Sequence, residues 1–407
     1  AGGYAAGSLA DYFGIRPGFD GFTVNALPFR CYQLVWNEWF RAGQIQDSVT
    51  VDKDDGPDTD TDYELQKRNK RFDYFTSSLP APQLGDAVDL PLGTSAPIAH
   101  DAPNTTILTV YSTGNSQYEN MSASTAFVQS WTGAGTEANR LYADLSGATA
   151  ATINSLREAF QLQKLLERDS RSGSRYCEQL QSHFRVYDPM SAVLQRPEYL
   201  GGGTIPIRVQ PVAQTTNGVV GGNYTGDLGA VAAAAGRVPG FTKSFTEHCY
   251  VLGLVSARAD LTYQQGMDKL WLREDRYDFY YPALAHLGEQ DIKGIEIFTQ
   301  DSTTDTGATG TPDNEKVFGY VPRWQELRHK NSLITGQLRS DHGTSLDVWH
   351  LAQDFATYPT LSSDFIEEAP PFDRVVQVAS EPALRLDTYF SIRHTRPLPA
   401  YGVPGLI

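Results

Sequence analysis

Residues 245–261 read FTEHCYVLGLVSARADL, with three chemically capable side chains set directly before an apolar run. Glu247, His248 and Cys249 could hold a metal or serve a nucleophile; equally, the stretch could be a strand that has to be buried. In extended backbone successive side chains point to opposite faces, so His248 lies on one side and Glu247 and Cys249 on the other. They converge only across a bulge. From Tyr250 to Val255 apolar residues occupy both faces, the pattern of a strand covered on two sides. The expectation is a buried β-strand, and the rest of the chain has to be compatible with it.

Similar β-branched and aromatic runs recur at 105–113 (TTILTVYST), 205–212 (IPIRVQPV), 294–299 (GIEIFT), 374–379 (RVVQVA) and 388–395 (TYFSIRHT). Turn-forming clusters separate them, for example at 54–58, 79–86, 201–206, 214–223 and 301–314. Two stretches carry helical spacing instead. In LPFRCYQLVWNEWFRAG (27–43), Tyr32, Val35, Trp36, Trp39 and Phe40 recur at three and four, with Pro28 near the start and Gly43 after the end. In TAATINSLREAFQLQKLLERDSRSG (149–173), Ile153, Leu156, Phe160, Leu162 and Leu166 form a stripe and Gly173 closes it. Both predicted helices are amphipathic, so each should lie on a larger body.

Strands outnumber helices, no βαβ alternation occurs, and no internal repeat is visible. The fold class expected is mainly β: an antiparallel sandwich or closed barrel with elaborated loops. Loops of this length are usually functional.

Composition narrows the function. The chain has 407 residues, 40% apolar and 20% charged, which is enough for a large core and typical of a folded protein. A formal charge of −15 excludes a surface that grips nucleic acid everywhere, because such binding relies on Lys and Arg displacing counterions. Any polyanion contact must be local. Cys31, Cys177 and Cys249 are far apart and odd in number, so neither a disulfide framework nor a zinc site is indicated and a reducing compartment fits best. No apolar run is long enough to span a membrane, and AGGYAAGSLA at the start lacks the features of a secretion signal.

Several chemical motifs fail on their spacing. DHGTSLDVWH (341–350) supplies Asp341, His342, Ser345, Asp347 and His350, yet Gly343-Thr344-Ser345 is followed by Leu346 and Asp347, which breaks the nucleophile elbow. The acidic run DKDDGPDTDTD (52–62) invites calcium. With Gly56 at the sixth loop position, however, Val51 and Lys53 fall where ligands are required. Neither GGGTIP (201–206) nor GVVGGNYTG (218–226) matches a dinucleotide or phosphate loop, and both read as turns. The N-x-S/T sites at Asn104, Asn120 and Asn223 matter only in a secreted eukaryotic protein. No catalytic residue, metal site or cofactor is expected.

One basic cluster remains. In YELQKRNKRFDYF (63–75), Lys67, Arg68, Lys70 and Arg71 lie among Tyr63, Phe72, Tyr74 and Phe75. This mixture suits single-stranded nucleic acid, through phosphate neutralisation and base stacking. It equally suits a solvated face or a charged subunit interface.

Taken together, LPFRCYQLVWNEWFR, QDSV, DDGPD, KRFDYFTSSLPAPQ, LPLGTSAP, LQRPEYLGGG, SFTEHCYVLGLVSARADLTYQQG, RYDFYYPALAHLGEQ, VFGY, SLDVWHLAQDFATYPTL and RPLPAYGVPGLI resemble, in order and nearly end to end, the major capsid proteins of the microviruses. These are small icosahedral single-stranded DNA phages, and the likeness is to their gokushovirus branch. The resemblance implies an eight-stranded antiparallel jelly-roll barrel with long inserted loops and a few short helices, forming a single capsid domain over 1–407. Family members carry a longer N-terminal portion, so some early strands of the full-length chain are expected to be missing. It implies no catalysis, and a T=1 shell of about sixty copies enclosing a circular single-stranded genome.

The partners it implies are other copies of the chain, the encapsidated DNA, a small basic DNA-packaging protein, an internal scaffolding protein, a DNA pilot protein and a host surface receptor, with no membrane insertion. The location implied is the virion, after assembly in the host bacterial cytoplasm. An acidic shell around a polyanion needs cations in between. Lys67, Arg68, Lys70 and Arg71 are the candidates, assisted by the packaging protein or polyamines. The competing reading is a carbohydrate-binding or hydrolytic β protein, the latter built on 342–350.

Overall fold

The computed structural model describes residues 4–19, 21–88, 98–100, 109–112, 116–123, 128–134, 141–143, 153–187, 189, 196–213, 228–301, 305, 311–376, 378, 380 and 382–396. The chain divides into two compact units, Ala1–Pro80 with Pro189–Ile407, and Ala81–Asp188.

The core of the first unit forms where short strands bury alternate side chains. In Glu289–Lys293 (EQDIK), Gln290 and Ile292 are buried and Asp291 between them is less so; Val317–Pro322 (VFGYVP) buries Phe318, Gly319 and Val321. The two strands pair antiparallel, Glu289 opposite Pro322 and Lys293 opposite Val317, with an irregularity between Val317 and Gly319. Leu79 extends the edge by a bridge to Tyr320. Around this hairpin gather Tyr74, Phe75, Tyr263, Ile297, Phe298, Phe365 and Ile366. Phe75 meets Tyr263 at 4.7 Å and Phe318 meets Phe365 at 5.0 Å, both edge to face, the geometry that the ring quadrupole favours.

The predicted strand 294–299 is instead a helical turn, Gly294–Ile297. Asp313 O comes so close to Gly294 that a Cβ there would lie 2.0 Å from it. Glu296 Oε1 accepts from Lys293 N at 3.0 Å and Phe298 N returns to Gly294 O at 2.8 Å. These bonds close the turn and bury Ile297 and Phe298 together, where a strand would have separated them to opposite faces.

The helix predicted in 27–43 is present as Leu27–Val35, with Pro in its first turn, and continues as a wider-pitched turn over Trp36–Phe40. Phe29 and Tyr32 pack with Leu9 and Ala10 in a second cluster, edged by Tyr63 and Leu252. Trp36 is buried and donates its indole N–H to Lys67 O at 2.9 Å. Trp39, expected to bury against the body, is 40% exposed. It covers a different segment: its N–H donates to Pro197 O at 2.8 Å and the Arg196 guanidinium lies 3.8 Å from its ring centre.

The buried strand predicted in 245–261 is corrected most. Regular pairing begins only at Thr262–Tyr263, parallel to Ser332–Leu333. Upstream, Tyr250, Val251 and Val255 are 48%, 50% and 72% exposed, whereas Leu252 and Leu261 border the two clusters and Ala259 is buried. Tyr389, Phe390 and Ile392 of the predicted 388–395 strand are also exposed, without regular pairing among the described residues. The described part of 374–379 begins inside a helical turn, Phe372–Val375. The strand in 205–212 is found as Arg208–Ala213, paired antiparallel with Leu228–Ala233, but its residues are exposed. The physical reason is shared: among the described residues the same chain covers these runs only at scattered positions, such as Leu252 and Ala259, and not with a continuous second layer.

In the second unit, Thr109–Ser112, Gln117–Ala123 and Val128–Ala134 form an antiparallel three-stranded sheet, and Ile98–His100 pairs with Leu141–Ala143. The strand predicted at 105–113 is therefore present in its described part. The predicted second helix spans Ile153–Ser172 and stops at Gly173, whose φ of +100° suits glycine. The following turns, Tyr176–Gln179 and Leu180–Phe184, bring His183 Nε2 within 2.5 Å of Asp169 Oδ1. Ile153, Phe160 and Leu162 of the stripe remain exposed while Leu156 and Leu166 are half-buried, so the stripe is covered only in part among the described residues. The side chain of Trp131 and residues Asn104, Asn223 and 397–407 lie outside the described set.

The chain is thus mostly non-helical, with short strands in small sheets, and the described strands close no barrel. No described helix is long and apolar enough to cross a membrane.

Candidate functional site

The motifs that promised chemistry are held as structural joints. Ser345 Oγ donates to Arg339 O at 2.8 Å and accepts from Asp347 N at 3.1 Å; His350 Nε2 lies 2.6 Å from Leu338 O, while its Nδ1 accepts from Ala352 N. His342 Nδ1 accepts from Thr344 N at 3.2 Å. Serine and both histidines are thus occupied by backbone groups, and no nucleophile–base pair forms here. His248 and Cys249 are exposed, and all three cysteines are free thiols.

The acidic loop 52–62 is organised by a side chain from the neighbouring helix. Arg30 pairs with Asp58, donates to Asp54 O at 2.7 Å and reaches Asp54 Oδ1 at 3.1 Å. The Tyr63 hydroxyl also donates to Asp58. The bond from Arg30, then that from Tyr63, holds the Asp58 carboxyl below its ordinary range. Burial, followed by the bond to Asp58, pushes the Tyr63 phenol up to about 12. No group of described residues has the makings of a metal centre.

A small cavity of about 70 Å³ adjoins Tyr74, Tyr263, Lys269 and Glu296. Glu296 is buried, accepts from Tyr74 Oη at 2.8 Å and pairs with Lys269 Nζ at 3.4 Å. Burial pushes its carboxyl above the ordinary range, and pushes the Tyr74 phenol up as well. The knot joins three segments and presents no nucleophile.

The basic cluster divides into surface and interior. Lys67 Nζ lies 3.5 Å from Glu367 and its side chain is 61% exposed; Arg71, 51% exposed, lies 3.5 Å from Asp260. Arg68 covers the Phe40 ring at 4.8 Å and donates to Ser256 Oγ at 2.8 Å. Lys70 is buried, donates to Phe365 O at 2.6 Å and Gln353 Oε1 at 3.1 Å, and has its ammonium depressed by burial. Two residues that sequence reasoning missed join them. Arg258 Nη2 donates to Asn69 O at 2.9 Å, and buried Glu368 lies 4.0 Å from Arg258 Nε. No local spacing could have revealed either, because the contacts link segments far apart in the chain.

Comparison with known proteins is consistent along the whole chain. The family described as capsid protein (F protein) matches residues 1–406. The capsid protein VP1 of Bdellovibrio phage phiMH2K is 43% identical, over all of this chain and 77% of the relative. Capsid protein VP1 of Chlamydia phage 1 and that of Spiroplasma virus 4 are each 36% identical, over all of this chain and 78% of each relative.

Proposed function

Because the chain belongs to the capsid protein (F protein) family, we propose that about sixty copies of it close a T=1 icosahedral shell around a circular single-stranded DNA genome. It is a structural capsid protein and not an enzyme, as its relatives are. The observation that carries the shell reading is the apolar run at 250–255. Val251, Leu254 and Val255 are exposed, and apolar side chains grouped on one short exposed segment suit a surface that another molecule covers. Copies of the same chain are the occupant that the family supplies. Joints of this sort, repeated through heterologous contacts, close a shell when their rotations match a symmetry axis.

On this reading residues 1–407 form one capsid domain. An eight-stranded jelly roll is completed in the particle by runs such as 205–212, 248–261 and 388–395. Lys67, Arg68, Lys70 and Arg71 serve the genome side, Lys67 and Arg71 toward phosphates and Lys70 as an internal strut. A small basic packaging protein, an internal scaffolding protein and a DNA pilot protein assist assembly in the bacterial cytoplasm, and the mature virion meets a host surface receptor. Negative-stain microscopy of the purified chain under assembly conditions tests the reading. Uniform hollow particles are expected; a persistently monomeric protein sinks it.

A further inference from the structure

Arg68 and Arg71 lie on one segment, Arg258 on another, and the two are stitched together by the arginines themselves. Arg68 Nη1 donates to Ser256 Oγ at 2.8 Å, and Arg258 Nη2 donates to Asn69 O at 2.9 Å. One carboxylate faces them from inside: Glu368, whose side chain is 3% exposed. Its Oε1 accepts from Ala259 N at 3.4 Å, while Oε2 has no hydrogen-bond partner and lies 4.0 Å from Arg258 Nε. The Nε atoms of Arg68 and Arg258 are likewise buried without an acceptor.

The charges do not balance locally. Arg68, Lys70 and Arg258 all act on the single carboxylate of Glu368. Of the other acids, Asp73 acts together with Glu368 on Lys70, Glu367 takes Lys67, and Asp260, 95% exposed, reaches Arg71 only at 3.5 Å, which leaves Arg68 and Arg258 sharing Glu368. Burial, then the nearness of Arg258, depresses Arg68 to about 10, with Arg71 adding to the effect. Guanidiniums held together in this way are matched by an anion with several oxygens, which accepts from more than one fork at once. Phe72, the residue after Arg71 in the chain, is 66% exposed.

We propose that Arg68, Arg71 and Arg258 form a binding site for the backbone phosphate of single-stranded DNA, with Phe72 as the stacking face for an adjoining base and Glu368 as the internal counter-charge that holds the guanidiniums in place. The site rests on the capsid reading above and deepens it, because it joins to the predicted basic segment a residue from the 245–261 region. A carboxylate from a second copy would satisfy the arginines too, but it would leave Phe72 without a role. Phosphate with a neighbouring base uses both.

The test measures binding of a fluorescently labelled oligothymidylate to the full chain across a salt series. Arg258→Gln and Arg71→Gln should each weaken binding about tenfold at low salt and lower the salt slope by about one. Phe72→Ala should weaken binding by about tenfold with the slope unchanged. Arg71 and Phe72 are exposed, so these two variants carry the test even where Arg258→Gln reduces folding. Affinity and slope unchanged in both overturn the site. Loss of particles in Arg258→Gln with oligonucleotide binding intact also overturns it, and assigns the arginines to a neighbouring copy. Failure of the capsid reading is separate: the unaltered chain then forms no particles, whatever its affinity for the oligonucleotide.

Discussion

Lys70 shows how position redistributes the roles of neighbouring residues. Between Arg68 and Arg71 it reads as one more surface cation, yet its ammonium ends on Phe365 O and over the Phe365 ring at 4.7 Å. Lys70→Met should lower stability by about 1–3 kcal/mol, because a buried carbonyl loses its donor; the midpoint of urea denaturation measures this. Glu296 gives a pH dependence of definite sign. Its folded-state carboxyl is held above the unfolded value of about 4.3 by burial. Its contribution is therefore fully present below that value and is lost as pH rises through the folded one. Glu296→Gln does not titrate, so its melting temperature should gain on that of the unaltered chain between pH 4 and pH 8. A constant difference across that range refutes the assignment.

At the scale of elements, the hairpin of Glu289–Lys293 with Val317–Pro322 anchors the first unit, since Ile292 and Val321 are completely buried. Ile292→Ala should cost about 2–5 kcal/mol, the range for deleting a packed aliphatic side chain, with calorimetry as the readout. Trp39 secures a longer-range contact. It accepts the Arg196 guanidinium on its face and donates to Pro197 O, so Trp39→Ala should speed proteolytic cleavage around 196–200 without a comparable change in melting temperature. The Leu27–Val35 helix was legible because Tyr32, Val35, Trp36, Trp39 and Phe40 recur at helical spacing after Pro28, although only Tyr32 and Trp36 of these are fully buried. The 294–299 turn was not legible, because its shape depends on Asp313 O pressing against Gly294. That contact spans a separation no local pattern encodes.

For the whole molecule, the exposed run at 250–255 makes self-association the decisive property. Val255→Asp places a charge on a side chain that is 72% exposed in the single chain. The melting temperature of the unassembled chain should stay within a degree or two, because surface substitutions of this kind change stability little. Particle formation, followed by light scattering and microscopy, should be lost, because the charge would be desolvated in a copy-to-copy joint. Ser345→Ala, by contrast, should leave particle formation intact, because that hydroxyl only staples the 339–347 turn.

The sequence by itself determined the placement of both long helices and, through its end-to-end likeness to one family, the capsid role; the mainly β, eight-stranded expectation is met only as a mostly non-helical chain with a few short strands. The helices and the role rest on local periodicity or on ordered blocks of residues. Tertiary structure alone decided which charged residues face inward: Lys70 and Glu368 are buried while Lys67 and Arg71 stay accessible. It also decided that Val251, Leu254 and Val255 are left exposed while Leu252 among them packs against a cluster of the same chain. Burial depends on what packs against a residue, and apolar spacing records only that cover is needed, not whether the same chain or another copy provides it.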